Sequence, residues 1–286
     1  MSLKKSFLIV FALLFTLGGC SMVGLGYNNG DWLLRYWIND YTSFNKTQKE
    51  EIHREVDNYM RWHRQHVLPE YIAWLQNLNR IVTHDKALTA EDVALSRAEV
   101  WRLYRLTVTP MIPPAARILS TLDSPQIEEL ARNFADKNRE YRKEYLQGNE
   151  QEILVKRADR SIDITENMVG HLDAKQKDIV REMSMRVPGS SGYIDQREAR
   201  QSALISLLNA KGSEAKIAEL LISWTDSPEA SPSSQYRQAI TAYDNGMNEL
   251  IAQIFGLLKS HQKHHLSEKL NGYSNDFEKL YLELEN

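Results

Sequence analysis

The sequence predicts an all-α protein, a multi-helix bundle that ends in a C-terminal antiparallel helical hairpin. Apolar residues recur three and four apart along most of the chain, and no segment alternates with the period of a strand. Three stretches place a capping residue three positions before a glutamine, which marks a helix start. The C-terminal stretch has alternating spacings of four and three, the seam of a coiled coil.

The first element is a leader. Lys4 and Lys5 form a basic start, Phe7 to Leu17 is apolar apart from Thr16, and Leu17-Gly18-Gly19-Cys20 follows. The run is too short to cross a bilayer core, which needs about 20 helical residues, so residues 1–19 read as a removable secretion signal. With a thiol at the cleavage point, the pattern resembles the lipobox of bacterial lipoproteins. That resemblance implies acyl chains, palmitate among them, on Cys20 as the first mature residue. Each buried methylene contributes about 0.8 kcal/mol, so several chains anchor stably where one does not. Ser21 in place of Asp resembles the pattern sorted onward to the periplasmic face of the outer membrane. Cys20 is the only cysteine among 286 residues, so the chain has no disulfides and its stability must come from a buried core.

Residues 20–30 read as a short lipidated tether, whose eight residues from Met22 to Asn29 reach at most about 28 Å. Asp31 is expected to cap the next helix, with Leu33, Tyr36 and Trp37 at helical spacing and with Trp32 and Trp37 in the core rather than in a lipid interface. Phe44 to Gln48, Leu122 to Gln126 and Leu172 to Gln176 then each supply a capping box preceded by an apolar residue. Leu88 to Asp92 is a looser version. Stripes such as Ile52, Val56, Tyr59, Met60, His63 and Val67 follow the caps, and Pro110, Pro113 and Pro114 must break the helix that begins near Thr89. Residues 31–187 thus form a helical domain. Residues 188–192, with Pro188, Gly189 and Gly192, read as a linker, and 193–286 as a second helical module. Its seams run Tyr236, Ile240, Tyr243, Met247, Leu250, Ile254 and Leu257, then Leu266, Leu270, Tyr273, Phe277, Leu280 and Leu284. A short connection between them predicts the hairpin.

Acidic residues outnumber basic ones, 38 to 35, and the imbalance grows once Lys4 and Lys5 leave with the leader. This disfavours nucleic acid, which calls for a clustered basic surface. There is no Gly-x-Ser-x-Gly, no His-Glu-x-x-His, no phosphate-cradling glycine loop and no dinucleotide fingerprint, and no cofactor is implied. Glu50 and His53 make a single Glu-x-x-His without the second copy that di-metal bundles use. His261, His264 and His265 cluster near the expected hairpin tip without acidic neighbours, so they read as solvated rather than as a metal site. The densest polar and aromatic stretch contains Tyr59, Trp62, His63, His66, Glu70 and Tyr71. At 100° per residue Tyr59, His63 and His66 share the apolar face, joined by Glu70 if the helix continues through Pro69. Buried polar groups need partners, so this face is either an internal network or a ligand-lined groove. Arg142 interrupts the Phe134 to Tyr145 stripe in the same way and would pair with Glu70 if the two helices met.

Asp31-Trp32, Asn39-Asp40-Tyr41, Trp62-His63-Arg64 and Leu68-Pro69-Glu70-Tyr71, with the boxes at Phe44, Leu122 and Leu172 and Asn138 to Arg142, resemble a family of uncharacterised Gram-negative bacterial lipoproteins known only as a domain of unknown function. The likeness covers about residues 20–188 and implies a helical envelope protein with no established activity. Leu122 to Gln126 and Leu172 to Gln176 are also similar to the Leu-Thr-x-x-Gln elements of small periplasmic stress chaperones. The expected role is non-enzymatic: binding, scaffolding or chaperone-like contact with an envelope protein, through Tyr59, Trp62, His63, His66, Glu70, Tyr71 and Arg142 or through the hairpin seam. The competing expectation is an enzyme acting on cell wall or lipid, with His63, His66 and Glu70 as acid-base groups.

Overall fold

A computed structural model describes residues 20–84, 86–189, 192–226 and 233–283; the expected leader, residues 1–19, lies outside them. Among the described residues regular structure is helical throughout. The α-helices are α1 (Cys20–Asn28), α2 (Gly30–Asn39), α3 (Lys46–His66), α4 (Leu68–Thr83), α5 (Ala90–Val108), α6 (Ile112–Ser120) and α7 (Ser124–Tyr145). They continue as α8 (Glu150–Val169), α9 (Ala174–Arg186), α10 (Tyr193–Asn209), α11 (Glu214–Ser223), α12 (Ser234–Leu257) and α13 (Ser260–Leu282). The prolines act as expected: a 3-10 turn at Thr109–Met111 ends α5, and Pro113 sits in the first turn of α6.

The N-terminal segment departs from the expected tether. Residues 20–28 are helical, and Val23 is 2% exposed in a core that also contains Leu75, Phe255 and Tyr273. Val23 and Tyr27, four apart, face one side, and this tertiary contact outweighs the poor helix propensity of Gly24 and Gly26. Nor does Asp31 cap. The helix already starts at Gly30, and Asp31 pairs with Arg35 at 3.1 Å. Leu34 and Ile38 pack beside Ile52 and Val56, which turns Trp32 outward to 59% exposure instead of into the core.

The expected hairpin does not form either. Both helices exist, but α13 lies along α4 and also touches α1 and α8, whereas α12 packs on α5 and α9. An apolar seam specifies a stripe but not the stripe's partner. Leu258 and Lys259 are extended (ψ 131° and 160°), and this bend sends α13 away from α12. Helices from the two sides of residues 188–192 pack on one another, α10 on α7 as well as α13 on α4. The expected second module is therefore interleaved with the first.

Two pairs of helix starts are clasped together by glutamines. Gln48 at the head of α3 and Gln126 at the head of α7 bond reciprocally, Nε2 to Oε1 at 3.2 and 2.7 Å. Gln176 of α9 and Gln262 of α13 repeat the arrangement at 2.9 and 3.1 Å. Each Oε1 also accepts the amide of its own cap residue: Asn45, Asp123, Asp173 and Lys259. Each Nε2 donates to a carbonyl two residues before the partner's cap, namely Thr121, Ser43, Leu257 and His171. All four glutamines are buried, so every polar atom is satisfied inside the molecule. The fourth start, Leu258-Lys259-x-x-Gln262, escapes a sequence reading because lysine cannot accept from an amide. Its ammonium instead donates to the cap carboxylate of Asp173 at 2.8 Å.

Candidate functional site

The face expected to carry function lies where α1, α3, α4 and α5 meet. On α3, Ile52, Val56, Tyr59 and His63 follow one another at spacings of four, three and four, which places all four on the inward side. The helix ends at His66. Val67 (φ −105°) kinks the chain and α4 begins with Pro69 in its first turn, so Glu70 is not carried onto the His63 face.

His63 is 7% exposed and ringed by aromatics, with Tyr59, Tyr27 and Tyr71 centroids at 5.6, 5.7 and 5.8 Å. The Tyr27 hydroxyl lies 2.8 Å from His63 Nδ1. The Arg64 guanidinium stands over the same tyrosine ring, 5.2 Å from its centroid, and donates to Asn28 Oδ1 at 2.7 Å. Tyr59 donates to the Thr107 carbonyl at 3.0 Å. Thr107 Oγ1 donates to the Leu103 carbonyl and thus accepts from Tyr71 at 2.6 Å. Burial pushes the His63 imidazole down to about 4 and the phenols of Tyr27, Tyr59 and Tyr71 above their ordinary range. At neutral pH all four groups are uncharged. They form a network that links four helices.

The remaining candidates lie elsewhere. His66 is exposed, stacks on the half-buried Trp62 (5.5 Å, 10°) and donates Nδ1–H to the Trp62 carbonyl at 2.9 Å. Glu70 accepts from Arg102 of α5 at 2.5 Å, and Glu99 shares that guanidinium. The expected Glu70–Arg142 pair is absent: Arg142 donates to Glu198 at 2.9 Å and stands 3.5 Å from Asp195, both on α10. Because α7 packs against α10 rather than α4, the two side chains never meet. Cys20 is the first residue of α1.

Of the lesser candidates, Glu50 faces Lys46, Glu51 accepts from Arg117 at 2.6 Å, and His53 is exposed. His261, His264 and His265 are exposed near the start of α13, with His264 3.2 Å from Glu268. Among the described residues no group of three His, Cys, Asp or Glu side chains could hold a metal ion, and no helix is long and apolar enough to cross a membrane.

Tyr27, Thr107 and Arg102 complete this site and were not foreseen. Tyr27 sat in the supposed tether, where only its four-residue spacing from Val23 hinted at burial. Thr107 and Arg102 lie on a helix whose contact with α3 and α4 has no local signature.

Fold and site together define an all-helical protein with glutamine-clasped helix starts and a buried tyrosine–histidine network. More particularly, the chain belongs to a family of unknown function, DUF6279, which matches residues 40–237. No curated protein and no solved structure matches it.

Proposed function

We propose that the protein is a non-enzymatic binding or scaffolding lipoprotein, held by acyl chains on Cys20 to the periplasmic face of the outer membrane. One observation carries the non-enzymatic part: the three side chains best suited to acid-base work point to three different partners. His63 is sealed against Tyr27, His66 stacks on Trp62 at the surface, and Glu70 is paired with Arg102. A general acid and base must reach one reacting group from hydrogen-bond distance, and this division disfavours the wall- or lipid-cleaving alternative. The chaperone-like variant of the proposal has less support, because the glutamines of Leu122–Gln126 and Leu172–Gln176 have a structural task in the clasps.

With Tyr59, His63 and Tyr71 turned inward, partner contact falls to the outer rim: the Trp62–His66 stack and the Glu70–Arg102 pair. Aromatic side chains with a polar edge are favoured anchors at protein interfaces. The test is photo-crosslinking in cells with a benzophenone amino acid in place of Trp62, of His66 or of His53. A discrete adduct with one envelope protein from positions 62 and 66, absent at position 53, is the expected result. Adducts of equal strength from all three positions would overturn the rim assignment. Mass spectrometry of the N-terminal peptide checks the anchor; an unmodified residue at position 20 would refute it.

A further inference from the structure

Trp32 and Tyr36 are the most exposed aromatic pair among the described residues. They are 59% and 49% exposed and stack on one another with centroids 5.6 Å apart and planes at 19°. They occupy the side of α2 opposite Leu34 and Ile38, which face the core beside α3. Helix α1 leads into α2 through Asn29 alone and is pinned by Val23 against α13. From Cys20 to Gly30 the sequence has no charged residue. At 1.5 Å per residue, Trp32 lies within about 20 Å of the start of α1.

We infer that α1 and α2 lie along the membrane surface, with Trp32 and Tyr36 seated in the lipid headgroup layer. This orientation rests on the membrane attachment proposed above, though not on its chemistry. The apolar run Phe7 to Leu17 ends just ahead of Cys20, so lipid is adjacent to the first residue of α1 whether that run is retained or replaced by acyl chains. With no slack between this point and the folded body, the orientation of α1 decides which surface meets the bilayer. Trp and Tyr combine an apolar ring with a polar tip, and both are enriched at the membrane–water interface for that reason. A stacked, solvent-facing pair this close to the attachment point is better matched to headgroups than to water. Seating the pair turns a single-point attachment into a fixed orientation and leaves the opposite faces of the body toward the periplasm.

The full chain, expressed with its leader and reconstituted into phosphatidylethanolamine–phosphatidylglycerol vesicles, allows a direct test. Trp32→Cys, Tyr36→Cys and, as a comparator on α8, Ile164→Cys (63% exposed) are each labelled with an environment-sensitive nitrobenzoxadiazole dye. Vesicle lipids carrying a nitroxide at a shallow acyl position then serve as quencher. Blue-shifted emission and at least twofold stronger quenching are expected at positions 32 and 36 relative to 164. Equal quenching at all three positions, in protein that floats with the vesicles, overturns this inference and leaves the attachment standing. Protein that does not float overturns the attachment and this inference with it.

Discussion

His63 shows how much chemistry burial removes from a histidine. Unfolded, it takes a proton near its ordinary 6.5; folded, it does so only near 4, because desolvation penalises the charged ring. Between those values the unfolded chain binds more protons than the folded one, so the His63 contribution to stability is full above pH 6.5 and falls as the pH drops toward 4. The loss amounts to on the order of 3 kcal/mol. Urea midpoints measured from pH 7 to 4.5 should therefore decline in the native protein. In His63→Phe that decline should largely vanish, at the cost of about 1–2 kcal/mol at pH 7 for the Tyr27 hydroxyl left without its partner. Parallel acid limbs in the two proteins would show that His63 is not the titrating group. The sequence placed Tyr59 and His63 on one inward face, because helical periodicity is local. It did not foresee Tyr27 or Thr107, because the hydrogen bonds that satisfy a buried group come from whatever packs against it.

Helix starts give the clearest link between sequence and element. Asn45, Asp123 and Asp173 cap as their spacing to glutamine predicts, and Thr89 caps with Asp92. Asn149 with Glu152 adds a box of the same kind. An exposed cap alone contributes about 1 kcal/mol. A clasped glutamine should contribute more, because removing it leaves one buried N–H of its partner's amide unpaired and takes the donor from a backbone carbonyl besides. Gln176→Leu and Gln262→Leu are expected to cost about 2–3 kcal/mol each. The double substitution should cost less than the sum by at least about 1 kcal/mol, since each single change already leaves one N–H of the other amide unpaired. Additive losses in chemical denaturation would mean that the two glutamines act as independent caps. The pairing itself was not legible in the sequence. A capping box records only the bonds within its own turn, and the reciprocal bond spans 78 residues in one clasp and 86 in the other.

At the scale of the molecule, the helices interleave across residues 188–192. A core containing Val23, Leu75, Val180 and Leu270 draws on α1, α4, α9 and α13. A second, with Ala116, Leu130, Leu204 and Ile217, joins α6 and α7 to α10 and α11. Asn79 of α4 bonds Asn271 and Ser267 of α13 at 2.9 and 2.6 Å. Cleavage at a protease site introduced between Pro188 and Gly192 should consequently leave two fragments that co-elute on gel filtration and separate only in denaturant. Fragments that part in native buffer would restore two independent modules.

The fold class, most helix starts and the proline breaks follow from the sequence alone, since each depends on residues within a turn or two of one another. Which stripe meets which was decided only in three dimensions. α13 turns from α12 to α4, Arg142 finds Glu198 instead of Glu70, and Trp32 faces outward. A hydrophobic face is bound by any complementary face with equal chemistry, and only the geometry of the whole assembly selects among them.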